Sequence, residues 1–162
     1  MSYILELRKI VGKRPLHMPS AVVLLFNPEN QLLLQHRTDN RLWGLNGGAI
    51  EPGEPPESAA RREFLEETGM RVEALHLLQV YGGQRQFVEY PNGDQVWCLN
   101  IAYLAVSAQQ VQAPDPEETL DLQYFDLEAL PTDLHASDQE VLEDLRNRWT
   151  EVQNILAALR NP

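Results

Sequence analysis

Residues 48–70 read GAIEPGEPPESAARREFLEETGM. Within this stretch Glu63, Glu66 and Glu67 stand at i, i+3 and i+4. On an α-helix their side chains share one face, inside an arc of roughly 100°. Like charges at that spacing repel and destabilise an isolated helix. A hard divalent cation, which prefers oxygen ligands alone, would neutralise them. Mg²⁺ is usually held by one or two carboxylates together with the phosphates of a substrate. The plain alternative is an amphipathic surface helix with its acids in solvent.

The surrounding residues set the limits of that helix. Pro55 and Pro56 suit a first turn, where a missing N–H has no partner to lose. Glu54 and Glu57 suit the positive end of the helix dipole. Gly69 is a natural left-handed residue past the last turn. The run predicts a helix over 56–68. Its side opposite Glu63 carries Ser58, Arg61 and Leu65, a poor core stripe. Ala59, Ala60 and Phe64 lie beside the glutamates instead. The acids therefore border a packed surface, as expected of a cleft.

Outward from this stretch the chain is rich in strands. Residues 3–10 predict a strand leading into the basic turn at Gly12–Pro15. Ser20–Phe26 and Gln31–His36 are β-rich runs joined by Asn27–Pro28–Glu29–Asn30, a hairpin signal. Beyond the helix, Val72–Tyr81 and Leu120–Asp126 predict strands. Gln84–Tyr90 and Gln95–Val106 flank a second hairpin turn at Pro91–Asn92–Gly93–Asp94. Leu127–Leu130 predicts a helical turn. A C-terminal helix is expected over about 138–160, with Ser137 and Glu140 in the S-x-x-E capping pattern. Val141, Leu142, Leu145, Trp149, Val152, Leu156 and Leu159 make its apolar stripe. That stripe predicts a cover for one face of a sheet, with a homodimer contact as the alternative. The result is one α/β (α+β) domain over 1–162, with a mixed sheet between helices.

Composition bounds the function. A net charge of −11 argues against binding nucleic-acid polymers or anionic membranes. It leaves room for a small anionic substrate delivered with metal. Cys98 is the one cysteine, which excludes an intrachain disulfide and suits a buried small hydrophobe. No signal peptide or transmembrane run is evident, so the cytosol is the expected location. His17, His36, His76 and His135 show no metal-ligand spacing.

Other residues qualify as substrate contacts. Arg37 and Arg85 could grip phosphate, because guanidinium suits bidentate oxygen recognition. Trp43, Tyr81, Phe87, Tyr90 and Trp97 could stack on a base, with Tyr81 and Phe87 leading because Gly82–Gly83 suggests a loop at a sheet edge. For each, surface charge or core packing is the alternative.

Residues 48–70 resemble the Nudix box, G-x5-E-x7-R-E-U-x-E-E-x-G-U, with U a bulky apolar residue. Gly48 and Glu54 fill the first two positions, Arg62–Glu63–Phe64 the centre, Glu66–Glu67 the acid pair, and Gly69–Met70 the end. Every position is filled, which a chance match would not achieve. Asn46 departs from the family's common P-G-G by preceding Gly47–Gly48, and asparagine tolerates turn conformations.

The resemblance implies a Nudix-type α/β/α sandwich and a Mg²⁺- or Mn²⁺-dependent hydrolase. Such enzymes cleave nucleoside diphosphates linked to a further group X by attack of water on phosphorus. It implies that Glu63, Glu66, Glu67 and the Gly48 carbonyl ligate metal, that Arg62 orients a glutamate, and that Glu54 braces the motif. It also implies a further acid beyond the box, for which Glu117, Glu118 and Asp115 are candidates. The expected substrate is a small nucleotide, either a nucleotide-sugar such as ADP-ribose or a non-canonical nucleoside triphosphate. A silent nucleotide-sensing module is the alternative, although no box acid is lost. An isopentenyl diphosphate isomerase would need a catalytic cysteine, and Cys98 lies well past the box.

Overall fold

The computed structural model describes residues 3–90 and 92–161. Strand β1 (Leu16–Leu25) decides the architecture. Residues 20–25 are all buried, which requires cover on both faces. Val22, Leu24 and Phe26 enter one core, and Ala21, Val23 and Leu25 enter the other. This is the period of two expected of a strand.

Both edges of β1 are taken. β4 (Asn46–Ala49) pairs with it antiparallel and β8 (Gln95–Ala105) pairs with it parallel. β6 (His76–Tyr81) and β7 (Phe87–Glu89) then pair antiparallel with β8, giving a mixed five-stranded sheet. β2 (Leu32–Arg37) joins β10 (Thr119–Phe125) and the two-residue β3 (Trp43–Gly44) in a second sheet. β5 (Met70–Val72) pairs with β9 (Ala108–Gln110).

Helices cover the main sheet from both sides. α2 (Pro56–Thr68) places Ala59, Ala60 and Phe64 against Ala21, Val23, Leu25 and Tyr103. α3 (Gln139–Asn147) and α4 (Trp149–Arg160) place Val141, Leu142, Leu145, Val152 and Leu156 against Val22, Leu24 and Leu104. Each such buried aliphatic side chain contributes roughly 1.5–3 kcal/mol. The stripe is thus directed at the chain's own sheet.

Several expectations from the sequence are corrected. Residues 3–10 form no strand but belong to α1 (Tyr3–Val11). Ile4, Leu7, Arg8 and Val11, its half-buried positions, follow helical spacing. β1 and β2 make no hairpin ladder. They share only the Phe26–Leu32 bridge before diverging, because β4 and β8 already occupy both edges of β1. The expected strand 72–81 is broken at residues 73–75, so that β5 and β6 serve different sheets. Of the expected strand 84–90, Gln84–Gln86 is a short 3₁₀ turn and Phe87–Glu89 is β7. The hairpin to β8 holds, with the Gly93 amide donating to the Tyr90 carbonyl at 2.8 Å. Pro91 of that turn lies outside the described residues.

The C-terminal helix is two helices. Arg148 interrupts it, its guanidinium bonding Asp144 on one side and Glu151 on the other. No capping box forms, because Ser137 donates to Asp138 and Glu140 accepts from Gln86. Asn46 lies in a strand rather than a turn. It is fully buried, and its amide donates to the Leu33 carbonyl at 3.2 Å, tying β4 to β2. Among the described residues no helix is long and apolar enough to cross a membrane.

Candidate active site

The acidic face of α2 opens on a cleft of about 280 Å³ lined by Gln35, Arg37, Glu63, Glu67, Glu117 and Glu118 with Gly47 and Gly48. Two elements make this possible. β4 brings its backbone against the helix at Gly47 and Gly48, and the loop before β10 brings its own acids to the same cleft.

The glycines are required by contact. Gly47 has φ +149°, and a Cβ there would fall 2.2 Å from the Ala21 carbonyl oxygen. Its amide donates to Glu67 Oε2 at 2.6 Å. A Cβ on Gly48 would fall 2.5 Å from Glu63 Oε2. The backbone therefore approaches the carboxylates more closely than any side chain permits.

Arg62 organises the exposed half of the cluster. Its guanidinium donates to Glu63 Oε1 at 2.6 Å, to Glu54 at 2.9 and 2.8 Å, to the Ala49 carbonyl at 3.1 Å, and reaches Glu66 at 3.4 Å. The hydrogen bond from Arg62 holds the Glu54 carboxyl below its usual range. Glu54 also accepts the Glu51 amide at 3.2 Å, so it braces the loop that enters the helix.

Glu67 is the deepest acid, 4% exposed, and among the described residues it makes no ion pair. Burial pushes its carboxyl well above the ordinary range. Arg37 and the Gly47 amide oppose that shift, while Glu63 and Glu118 add to it. Glu63 is raised by burial too, against the pull of Arg62 and with the push of Glu66 and Glu118. Glu118 is raised by burial, then by Asp115 and Glu66. Three carboxyls on two elements therefore hold protons more firmly than usual, which marks negative charge short of counter-charge.

Of the remaining sequence candidates, Arg37 lines the cleft. It bonds Asp39 at 3.0 Å through two nitrogens, and burial of its charge is outweighed by that bond and by the fields of Asp39, Glu67 and Asp138. Gly69 ends α2 at φ +70°. Asp115 stands at the edge, its amide donating to the Glu66 carbonyl at 3.2 Å.

The structure does not bring Tyr81, Arg85 or Phe87 to the acids. Tyr81 is buried beneath α3, and its hydroxyl donates to Asp144 at 2.7 Å. Arg85 bonds Glu143 at 2.6 Å on the exposed side of that helix. Phe87 packs on Trp97, ring centroids 4.9 Å apart. Tyr81 ends β6 and Arg85 lies in the 3₁₀ turn that follows, both bonded to α3, and the Gly82–Gly83 pair could not reveal that side from the sequence. Trp43 is stacked on His36 at 4.8 Å. Tyr90 is the aromatic candidate that does reach a cavity next to the acids.

That neighbouring cavity, about 160 Å³, shares Arg37, Gly47 and Gly48 with the acid cleft and adds Ser20, Tyr90, Cys98, Asn100, His135 and Asp138. Asp138 is buried and accepts the Leu45 amide at 2.8 Å, and His135 meets the Ser137 hydroxyl at 2.8 Å. Sequence reasoning missed Asp138, His135, Asn100 and Gln35. For Gln35 and Asn100 the available signal was a polar residue within an apolar strand run, whereas His135 and Asp138 lie outside the strands. Burial pushes the Cys98 thiol up to about 11, so it stays protonated and poorly nucleophilic near neutrality.

The donor set for a metal is oxygen only and short of positive charge, which fits a hard divalent cation. Among the described residues no three His, Cys, Asp or Glu side chains converge as a ready-made ligand shell. An ion that takes one or two carboxylates and completes its shell with substrate phosphate oxygens suits such a site.

Comparison with known proteins agrees with this fold. The NUDIX domain pattern matches residues 16–145. An ADP-ribose pyrophosphatase of Methanocaldococcus jannaschii is 32% identical over 152 residues, covering 88% of this chain and 85% of that protein. A MutT-like protein of Streptomyces ambofaciens is 43% identical over 67 residues, and there the matched stretch spans 41% of this chain and only 44% of the relative. The crystal structure of a MutT NUDIX hydrolase from Burkholderia pseudomallei superposes with a TM-score of 0.64 at 27% identity, covering 80% of this chain and 97% of that one. The chain belongs to the Nudix family.

Proposed function

We propose that this chain is a metal-dependent pyrophosphohydrolase that cleaves the diphosphate linkage of a nucleoside diphosphate derivative. The observation that carries the reading is the buried Glu67, beside Glu63 on one face of α2, sharing a glycine-lined cleft with Glu118 of the loop before β10. A diphosphate cannot enter such a site against its own charge without cations. In our reading Glu63, Glu66, Glu67 and the Gly48 carbonyl hold Mg²⁺ or Mn²⁺. When bound, the ion would neutralise the diphosphate and make a bound water more acidic.

The chain's own residues do the rest. Arg62 orients Glu63 through a charge-assisted hydrogen bond. The Gly47 amide fixes the Glu67 carboxylate. Glu118, its proton affinity raised, stands across the cleft as the acceptor for the proton of the attacking water, with Glu117 beside it. Arg37, which lines the same cleft, would contact a phosphate oxygen.

The candidate substrates are a nucleotide-sugar such as ADP-ribose or a non-canonical nucleoside triphosphate. The Methanocaldococcus jannaschii relative, an ADP-ribose pyrophosphatase alike over most of both chains, supports the first. The net charge of −11 supports a small nucleotide over a polymer. The test is turnover with Mg²⁺ on ADP-ribose, dinucleoside polyphosphates and modified nucleoside triphosphates, alongside Glu66→Gln and Glu67→Gln. Equal turnover in all three proteins would refute the assigned roles. Tight calorimetric binding of a nucleotide with no product would favour a sensing module instead.

A further inference from the structure

The acid cleft contains a buried amide that none of the foregoing roles uses. Gln35 on β2 is 1% exposed. Its Nε2 donates to the Glu118 carbonyl at 3.2 Å and to Thr119 Oγ1 at 2.7 Å. Thr119 Oγ1 in turn donates to the Glu67 carbonyl at 2.7 Å. A backbone carbonyl can only accept, so the amide nitrogen must face Glu118 and the sense of the side chain is determined. Its Oε1 is then left buried without a hydrogen-bond partner, in a side chain that lines the cleft together with Glu63, Glu67 and Glu118.

This arrangement has two consequences. A continuous path of hydrogen bonds runs from β2 through Thr119 to the last turn of α2, and it spans the two elements that carry Glu118 and Glu67. Among the described residues no other hydrogen bond so buried joins the acid-bearing loop to the helix. The Asp115 amide meets the Glu66 carbonyl at 3.2 Å, but Asp115 and Glu66 are both exposed. An orphaned buried carbonyl is also destabilising unless something satisfies it. The ionised carboxylates around it are themselves acceptors, so only a group bearing hydrogen, such as water or a protonated acid, can do so.

We propose that Gln35 is a positioning residue for hydrolysis. Through Thr119 it sets Glu118 opposite Glu67, and its free Oε1 accepts a hydrogen from a water in the cleft. The proposal rests on the hydrolase reading above and on the role given there to Glu118.

The experiment compares kcat and KM for ADP-ribose and the modified triphosphates with Mg²⁺. The proteins are wild type, Gln35→Met, Thr119→Val, Thr119→Ser, Glu118→Gln, Glu67→Gln and the Gln35→Met/Glu118→Gln double variant. Methionine fills the glutamine's space without its polar atoms, and serine keeps the hydroxyl relay. The expected result is a loss of about tenfold in kcat for Gln35→Met and Thr119→Val, with KM within about twofold and Thr119→Ser near wild type. In the Glu118→Gln background the further loss from Gln35→Met should be under about twofold, because the residue acts through Glu118. If Gln35→Met does not fold, the Thr119→Val and Thr119→Ser pair carries the test. Wild-type kcat in Gln35→Met or Thr119→Val, with Glu67→Gln inactive, would overturn this proposal alone. So would an undiminished loss in the Glu118→Gln background. Equal turnover in Glu67→Gln, or none in the wild type, would overturn the hydrolase reading and this proposal with it.

Discussion

The two faces of the main sheet are covered by helices of opposite character. On one, α3 and α4 spend Val141, Leu142, Leu145, Val152 and Leu156 on the core, all of them 1% exposed or less. On the other, α2 buries two alanines and one phenylalanine, and beside them a glutamate at 4% exposure. The first face is organised for stability and the second is not. A carboxyl buried without an ion pair lowers stability unless something outside the chain compensates it. A helix that gives up apolar area for such groups marks where the molecule does chemistry.

Four measurements would break or sharpen that contrast. The largest effect is expected for Glu67→Gln, which should lower kcat on the order of 10²–10³-fold while leaving the metal-free fold intact or firmer. Loss of folding in that variant would erase the distinction between the faces. Leu145→Ala on the opposite face should do the reverse. A cavity there should cost about 3 kcal/mol, lowering Tm by roughly 6–12 °C, with turnover of the folded protein unchanged.

Third, stability should depend on pH through Glu63 and Glu67 of α2. Their folded proton affinities are raised, chiefly by burial. Between the ordinary carboxylate range and those raised values, the native state keeps protons that the unfolded chain has released. Stability from these groups is therefore present at low pH and is lost as pH rises through that window. Glu54 and Glu151, shifted down by arginine hydrogen bonds, act with the opposite sign and only at lower pH. The contribution of this cluster to the Tm of metal-free protein should thus fall as pH rises from the ordinary carboxylate range towards neutrality and above. Glu67→Gln should flatten the trend, and Mn²⁺ should raise Tm more at pH 8 than at pH 5. A metal-independent Tm at pH 8 in scanning calorimetry would count against cation binding by the free protein.

The smallest effect belongs to Tyr81→Phe. Losing the bond to Asp144 should cost about 1 kcal/mol, and KM for nucleotide should not move. A raised KM would return Tyr81 to the site from which its burial under α3 separates it.

How far the sequence could be read differed along the chain. The helix over 56–68 was legible to the residue, because prolines open it, glycine closes it and the acids repeat at helical spacing. The stripe from Val141 to Leu159 was legible as core for the same reason of period. α1 was misread because Ile, Val and Tyr favour strands locally, and the apolar but exposed Tyr3, Leu5 and Ile10 blur the helical spacing of Ile4, Leu7 and Val11. The β1–β2 hairpin was misread because turn chemistry is local, whereas edge occupancy by β4 and β8 is not.

The chain by itself determined that three glutamates would lie on one helical face beside an apolar stripe, since spacing and propensity act over a few residues. Only the tertiary structure decided which of those acids is buried, that Glu118 faces it from a loop some fifty residues later, and that Gln35 and Asp138 join them while Tyr81 and Arg85 do not. Burial and charge balance depend on what packs across a gap, and no local pattern in a strand records which of its neighbours will close it.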